Sequence, residues 1–424
     1  MNAILSSWAL VCHADNNEQR TVSVLSESDE SFKVDSIQVS EHSGKDADKC
    51  PVFIGVGNDG QAIVLDVESK KLALISQLPS DVFPAYAYRD SDCGFVWFMN
   101  DGDKKTGNDS LNCGDTGSSV TVINPVNDAP ELVKTICVGR GHHVTAFTAP
   151  SDKAPDMPRR AFVSNLLDGT ISVIGNDPED GGTFLKVIDT INLCESEKEK
   201  DEGQSIPNNA FPHGMEFSSF TGKIYCFNNG YGTVAVINPI TNVIEGRIEL
   251  KGCSNILLSP DSRFLIGKGA DRKTDSEHVI GRLAVIDIEA GKVIATQDLP
   301  DVYPSTYRFS PDGNKLYVTT AATGKGVQKE NLDIDSVFVY DVSTISDLKC
   351  IKKITVGVAD CGRRPLAFYS EDDSKSYLFI PNPTDGTVSV IDVSTDLVIE
   401  SPKVFSALSN EVNFSFWRGD IYGA

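Results

Sequence analysis

A short segment that alternates β-branched with small residues and then ends in an Asp, Asn or Ser turn recurs along the whole chain. Its clearest copy is TVSVIDVST (387–395). The eight copies begin 41 to 63 residues apart, at Thr21, Ala62, Ser119, Thr170, Thr233, Arg282, Ser336 and Thr387. Alternation with period two predicts a strand followed by a tight turn. Several strands per repeat at this spacing are typical of a β-propeller.

The repeat predicts an all-β, eight-bladed propeller of four-stranded antiparallel blades, formed by residues 1–424 as a single domain. The first unit starts without an innermost strand, and the segment EVNFSFWRGDIYG (411–423) is an innermost strand with no unit after it. We therefore expect the C-terminal strand to join the N-terminal blade and close the ring, which removes exposed sheet edges. Seven blades are the alternative, because the second unit has only the polar residues 41–49 for its innermost strand.

The repeats resemble those of the YVTN family of propellers. The residues that carry the resemblance are SPDGNKLYVTT (310–320), DSVFVYDVST (335–344) and TDGTVSVIDVST (384–395), and it extends over most of the chain. Eight blades over this length are also similar to the haem d1 domain of cytochrome cd1 nitrite reductases. The pair His142–His143 resembles the copper propellers nitrous oxide reductase and thiocyanate dehydrogenase. These resemblances imply a metal-dependent oxidoreductase acting on a small molecule.

Charge and hydropathy limit the partners. The formal net charge is −22 and the pI is about 4.6, so the chain as a whole repels nucleic acid and anionic membranes. No apolar stretch approaches the ~20 residues of a transmembrane helix. The N-terminal segment lacks a basic region and its apolar run is broken by Ser6 and Ser7, so it is interpreted as the first strand rather than a signal peptide.

The ten cysteines form no CxxC motif. Cys137, Cys226 and Cys350 fall within predicted strands, where a free cysteine acts as a small apolar residue. This pattern favours a reducing, cytoplasmic compartment. The alternative is an exported protein whose leader has been removed, and in that case Cys93 and Cys113 are the pair expected to form a disulfide.

All six histidines map to one face of the predicted ring, the funnel face, where the last strand of a blade leads into the next blade. His142, His143 and His213 supply three imidazoles from two neighbouring blades, and His42 and Cys253 lie on the same face. Imidazole suits copper, zinc and iron, and thiolate suits soft metals. The sequence therefore predicts a metal site, with copper first and zinc or haem iron as alternatives. Polar-loop histidines without a metal are the competing interpretation.

Arginines at the same blade junctions suggest an anionic substrate. Arg140 and Arg363 are predicted to orient it, although such arginines also link neighbouring blades through carboxylates. A non-catalytic scaffold that binds a protein or ligand on this face is the second functional hypothesis. A metal-assisted hydrolase such as a lactonase is the third, with Glu216 as its inward carboxylate. Three long connections are predicted to cover the face as lids or binding loops, namely Asn100–Ser118, Gly267–Gly281 and Ala321–Asp335.

Overall fold

The computed structural model describes residues 8–14, 20–28, 31–38, 51–56, 61–66, 73–79, 84–102, 113, 118–124, 131–141, 143–199, 205–372, 375–404 and 411–415. Regular structure in these residues is almost entirely β-strand. The exceptions are a five-residue helix, α1 (Val327–Asn331), and a short 3₁₀ helix (Ser196–Lys198). The prediction of an all-β chain is confirmed.

The strands form antiparallel sheets of neighbouring chain segments, numbered here in chain order. Sheet 1 pairs in the order β3-β2-β1-β31, with β1 (Trp8–Ala14), β2 (Arg20–Ser28), β3 (Ser31–Gln38) and β31 (Glu411–Ser415). Sheet 2 has three strands, β4 (Pro51–Val56), β5 (Gln61–Asp66) and β6 (Ala73–Pro79). Sheet 3 contains β7 (Pro84–Arg89), β8 (Val96–Asn100), β9 (Ser119–Asn124) and β10 (Glu131–Cys137). Sheet 4 contains β11 (Thr145–Thr148), β12 (Arg160–Asn165), β13 (Thr170–Gly175) and β14 (Val187–Asn192).

The remaining sheets repeat this pattern of four consecutive strands. Sheet 5 contains β15 (Pro212–Ser218), β16 (Lys223–Asn228), β17 (Thr233–Asn238) and β18 (Val243–Glu249). Sheet 6 contains β19 (Asn255–Leu258), β20 (Phe264–Asp271), β21 (Ile280–Asp287) and β22 (Lys292–Pro300). Sheet 7 contains β23 (Pro304–Phe309), β24 (Lys315–Thr320), β25 (Ser336–Asp341) and β26 (Lys349–Thr355). Sheet 8 contains β27 (Ala367–Asp372), β28 (Lys375–Asn382), β29 (Thr387–Asp392) and β30 (Leu397–Glu400).

Every copy of the repeated segment lies in a strand, namely β2, β5, β9, β13, β17, β21, β25 and β29. The burial of these strands explains their composition. In β13 every residue is buried, whereas the following strand β14 is mostly exposed. A strand covered on both faces must be apolar or small throughout, and an outer strand need not be. The innermost strand predicted within residues 41–49 falls outside the described residues.

The apolar core lies between neighbouring sheets. Separate clusters join sheets 3 and 4, 4 and 5, 5 and 6, 6 and 7, and 7 and 8. In the first of them Trp97 is fully buried and packs edge-on against Phe147 of the next sheet, with ring centroids 5.4 Å apart. The burial of one side chain of this kind contributes roughly 1.5–3 kcal/mol to stability. The first strands of successive sheets also contact each other, as β11 with β15 and β15 with β19 do, so they form the inner wall of the arrangement.

Two hydrogen-bonding motifs recur in the sheets. In the SPDS and SPDG turns, the Ser259 and Ser310 hydroxyls donate to Asp261 and Asp312, and each accepts the backbone N–H five residues later. In the second motif, an asparagine stands at the end of a strand, and its side-chain amide donates hydrogen bonds to two hydroxyl groups of the next strand. It occurs at Asn100, Asn165 and Asn382.

Two sequence predictions are wrong. Cys113 is bonded to Cys137, which was expected to be a free cysteine, whereas Cys93 is free. The reason is topological, because Cys93 lies in the turn between β7 and β8, at the opposite end of sheet 3 from the connection that carries Cys113. The connection Gly267–Gly281 is also shorter than predicted. Strands β20 and β21 stay paired as far as Asp271 and Ile280, because the segment FLIGKGAD continues as a strand past Gly267.

Candidate functional site

The structure does not assemble the predicted metal ligands in the residues it describes. His143 is fully buried, and its Nδ1 lies 2.5 Å from the carbonyl oxygen of Ser164. His213 is half-buried on β15. His42 and His142 lie outside the described residues. Across the described chain, no three His, Cys, Asp or Glu side chains form a group that could hold a metal ion.

Cys253 belongs to the apolar cluster between sheets 5 and 6. Burial raises the pKa of its thiol to about 12, with a smaller opposing effect from Arg282. A thiol with this pKa is protonated at neutral pH, and metal binding needs the thiolate. The structure therefore places Cys253 in the packing between two sheets.

Arg140 links two sheets. Its backbone N–H and its Nε both donate to the carboxylate of Asp168, at 2.6 and 2.8 Å. Asp168 lies between β12 and β13 and its side chain is 1% exposed. A buried carboxylate needs such donors, and this ion pair matches the alternative interpretation of Arg140, in which it joins neighbouring blades.

Adjacent arginines at the start of sheet 8 have opposite environments. Arg364 is fully buried and donates to the carbonyl oxygens of Ile334, Gly357 and Pro381 and to the amide oxygen of Asn382. The surface of Arg363 is accessible to solvent. Many protein atoms nevertheless surround its guanidinium, and the resulting loss of hydration lowers its pKa. Both observations hold if the side chain projects into an open channel that protein surrounds.

Arg363 is part of a group of polar side chains that reaches across the inner wall. Its guanidinium hydrogen-bonds the phenol of Tyr86 on β7 and lies close to Arg308 on β23. We call the whole group the channel cluster. It comprises Tyr86, Tyr88, Glu216, Lys268, Arg308 and Arg363. These residues come from sheets 3, 5, 6, 7 and 8, and side chains of non-adjacent sheets can meet where the first strands face each other.

Lys268 is the most strongly perturbed cation of the channel cluster. Burial, followed by repulsion from Arg363 and Arg308, lowers its pKa to about 7. Its Nζ donates to the carbonyl oxygens of Ser305 and, at 3.4 Å, Pro304, and it lies 5.5 Å from the centre of the Tyr307 ring. The side chain remains half-buried rather than enclosed, so a ligand can reach it.

Glu216 is the acidic member. Burial raises its pKa to about 7, against the opposing effects of the Arg308 charge and of a hydrogen bond from the backbone of Leu258. Tyr86 and Tyr88 lie with ring centroids 6.3 Å apart. Burial raises the pKa of both phenols, so each keeps its proton at neutral pH and can act as a donor.

The channel cluster combines cations, hydroxyl donors and two groups that titrate near neutral pH. Such strong pKa shifts in an accessible cleft are a common property of functional sites. The sequence predictions include two members of the cluster, Arg363 and Glu216. They do not include the other four, namely Tyr86, Tyr88, Lys268 and Arg308. The signal in the sequence is a basic residue within a strand of mainly apolar or small residues, as in FLIGKGAD of β20 and PSTYRF of β23.

A second concavity of about 600 Å³ lies beside β20 and β21. Its lining includes Arg272, Lys273, Arg282 and Lys325, together with Asp271 and Asp298. The Arg282 guanidinium donates hydrogen bonds of 2.7 and 3.2 Å to the Asp298 carboxylate.

No helix in the described part of the chain is long and apolar enough to cross a membrane.

Comparison with known proteins supports the fold. No protein-family model and no curated protein matches the chain. Saccharomyces cerevisiae Sqt1 is 13% identical with a TM-score of 0.60, and the match covers 91% of this chain and 92% of Sqt1. Dihydro-heme d1 dehydrogenase NirN in complex with DHE is 11% identical with a TM-score of 0.57, covering 95% and 74%. AztD from Citrobacter koseri is 13% identical with a TM-score of 0.55, covering 98% and 99%. These likenesses show the fold alone, a β-propeller, and the resemblances to the YVTN family and to copper propellers stay predictions.

Proposed function

We propose that this protein binds a small anionic molecule in the channel cluster of its propeller. What supports this function most directly is the convergence of Lys268, Arg308 and Arg363 from three different sheets. The chain carries a net charge of −22, so a local concentration of positive charge on an inner wall is unexpected unless it serves a ligand. Like charges that repel one another enough to lower a lysine pKa cost stability, and an anion between them relieves that cost.

The side chains suit an oxyanion. Guanidinium groups present several N–H donors in a plane that matches carboxylate and phosphate oxygens. The phenol of Tyr86 stands beside Arg363 and supplies a further hydroxyl. A carboxylated or phosphorylated small molecule on the funnel face is therefore the expected ligand class. Glu216 and Lys268 could also exchange protons with it, so both an enzyme and a non-catalytic binding scaffold are consistent with the site.

We also propose that the eight sheets close into a single ring of eight blades, the first completed by β31. Pairing of β31 with β1, from Ala14 and Glu411 to Leu10 and Ser415, supports this closure. Contacts of β1 with β27, of β31 with β4 and of β4 with β7 support it as well, because they connect sheets 8, 1, 2 and 3 in order. Such a ring would bring Tyr86 and Arg363 together across the channel.

The metal-dependent oxidoreductase predicted from the sequence is the second candidate. His213 lies on β15, the strand that also carries Glu216, and NirN, whose structure is described as a complex with DHE, shares the fold. Elemental analysis and a visible absorption spectrum of protein purified without added metal test this candidate. Stoichiometric copper, zinc or iron that His213→Ala removes would support it, and metal-free protein that binds anions would leave the first proposal.

Calorimetric titration with sulfate tests the anion site. Wild-type protein should bind sulfate, and Arg308→Gln and Arg363→Gln should each weaken binding about tenfold or more, because a hydrogen bond to a charged group is worth roughly 1.5–3 kcal/mol. Arg159→Gln is the matched control, since Arg159 pairs with Asp92 away from the cluster. Unchanged binding in both cluster variants, or loss of binding in Arg282→Gln instead, would contradict the proposal.

A further inference from the structure

We infer that the second concavity, beside β20 and β21, binds a nucleotide that carries two or more phosphates. This site is separate from the proposed anion site, because no member of the channel cluster lines it. Its volume of about 600 Å³ lies in the range of roughly 300–1,000 Å³ that is typical of pockets for small organic molecules. The concavity therefore has room for a whole nucleotide, whereas a single sulfate fills a small part of it and should bind there only weakly.

Two loops from neighbouring sheets form walls of the concavity, and one buried side chain joins them. Residues 271–275 continue from β20 of sheet 6, and Lys325 lies in the connection between β24 and α1 of sheet 7. Gln328 of α1 is 2% exposed. Its amide oxygen accepts the backbone N–H of Lys325 at 3.1 Å, and its amide nitrogen donates to the carbonyl oxygen of Asp275 at 2.6 Å. The two walls are held together without a ligand, which reduces the entropy cost of binding one.

Arg282 presents an oriented guanidinium to the concavity. Its Nε and Nη2 donate to the Asp298 carboxylate, which fixes the plane of the group. The third nitrogen, Nη1, has no acceptor within the described residues and lies against Gly252, where a Cβ atom would approach it to 2.7 Å. Both Arg282 and Gly252 line the concavity. A phosphate oxygen that enters can therefore accept the N–H groups of Nη1 in the planar geometry that a guanidinium favours.

The acids of the lining are occupied by the protein, whereas two of its ammonium groups are not. The carboxylate of Asp271 accepts the backbone N–H groups two and three residues later, and that of Asp275 does the same. Lys273 and Lys325 have no ion-pair partner among the residues that the structure describes. The concavity therefore favours an anion although the chain carries a net charge of −22, because salt screens distant charges beyond about 8 Å.

The cations come from more than one chain segment, which favours a diphosphate over a single phosphate. Arg282 lies on β21, and Lys325 lies on the connection of the next sheet. Two linked phosphates can contact both cations at once, and each contact adds a hydrogen bond between charged groups.

The rest of the lining suits a base and a sugar. Ala270 and Ile280 are half-buried where β20 and β21 end their pairing, and they give the concavity an apolar part. The guanidinium carbon of Arg272 lies 5.6 Å from the centre of the Tyr303 ring, so this guanidinium is held against an aromatic ring. Bases stack on guanidinium planes as they do on aromatic rings. Arg272 lines the concavity and is the expected stacking partner of the base.

Calorimetric titration with adenosine diphosphate (ADP), without added magnesium, tests the site. Wild-type protein should bind ADP, and pyrophosphate should bind about tenfold more weakly because it lacks the stacking base. Adenosine, which lacks the phosphates, should bind more weakly still. Arg282→Gln should weaken ADP binding about tenfold or more, and Lys325→Gln about threefold, since Lys325 is exposed. Arg282→Lys keeps the charge without the planar donors and serves if Arg282→Gln does not fold.

Two further variants separate this inference from the proposed anion site. Arg263→Gln is the matched control, because Arg263 is an exposed arginine over the Phe220 ring at the opposite end of β20. Arg363→Gln should weaken sulfate binding and leave ADP binding unchanged. Absence of ADP binding by the wild type, or ADP binding that the Arg282 variants leave intact, overturns the inference and leaves the anion site standing. ADP binding that Arg363→Gln abolishes, or pyrophosphate binding as tight as that of ADP, overturns it as well.

Discussion

The guanidinium of Arg363 hydrogen-bonds the phenol of Tyr86, although the two residues belong to the start of sheet 8 and to the first strand of sheet 3. Its neighbour Arg364 turns the other way and is buried among backbone carbonyls. One dipeptide thus serves both the channel and the packing between sheets 7 and 8.

Substitution of Arg363 should affect ligand binding, whereas substitution of Arg364 should affect the stability of the fold. Arg363→Met should weaken sulfate binding at least tenfold and leave the melting temperature nearly unchanged. Arg364→Met should lower stability by several kcal/mol, because it leaves buried carbonyl oxygens and the amide of Asn382 without their donor. Thermal unfolding and calorimetry on both variants check this. Equal loss of stability in the two would show that Arg363 is structural as well.

Lys268 should destabilise the free protein at neutral and acidic pH. Its folded-state pKa of about 7 lies below the ordinary value. The penalty is therefore full below pH 7 and disappears as the pH rises through the unfolded-state pKa of ~10.4. Lys268→Met should raise the melting temperature at pH 6 by about 2 °C or more, after allowance for solvent screening of a half-buried group. The difference from wild type should vanish near pH 10.5, and a difference that grows with pH would contradict the assignment.

Sheet 5 lacks one hydroxyl that other sheets supply. Asn165 and Asn382 each donate to a Thr five residues on and a Ser seven residues on. In sheet 5 the corresponding residues are Asn228, Thr233 and Ala235, and within the described residues the buried Asn228 amide has no hydrogen-bond partner. Ala235→Ser should therefore raise stability by about 1 kcal/mol. Ser172→Ala is the reverse experiment in sheet 4 and should lower stability by a similar or larger amount, as measured by denaturant unfolding.

The disulfide of sheet 3 should contribute to stability under oxidising conditions. Cys113 and Cys137 are separated by 24 positions, and closing a loop of this length stabilises the fold by roughly 3–4 kcal/mol in the chain-entropy treatment. Cys113→Ser should lower the melting temperature of oxidised protein. Cys93→Ser, which removes a free cysteine of the same sheet, should not. Identical unfolding of oxidised wild type and Cys113→Ser would argue against the bond.

Removal of residues 411–424 tests the pairing of the two chain ends. Without β31, strand β1 presents an unpaired edge, and exposed edges promote aggregation. The shortened protein should melt at a lower temperature and form larger species in size-exclusion chromatography. Unchanged melting and a monodisperse profile would contradict the proposed ring.

The strand pattern was readable because alternation is a local property. A segment such as TISVIG of β13 must be apolar on both faces when sheets cover both sides, and that requirement repeats in every sheet. The channel cluster was largely unreadable because its members lie far apart in the chain, as Tyr86 and Arg363 do, and meet only in the tertiary structure. His143 and Cys253 were predicted as ligands from their residue type, and the tertiary packing that buries both could not be read from the sequence.

The pairing of β1 with β31 also determines when sheet 1 can be completed during synthesis of the chain. At synthesis rates of about 5–20 residues per second, the roughly 400 residues between Ala14 and Glu411 take about 20–80 s to emerge. Throughout that interval β1 has no partner for one of its edges, while later sheets can already fold and stack. Strand β1 must therefore wait for β31 before its second edge is paired, and sheet 1 is completed after the strands between them have been made.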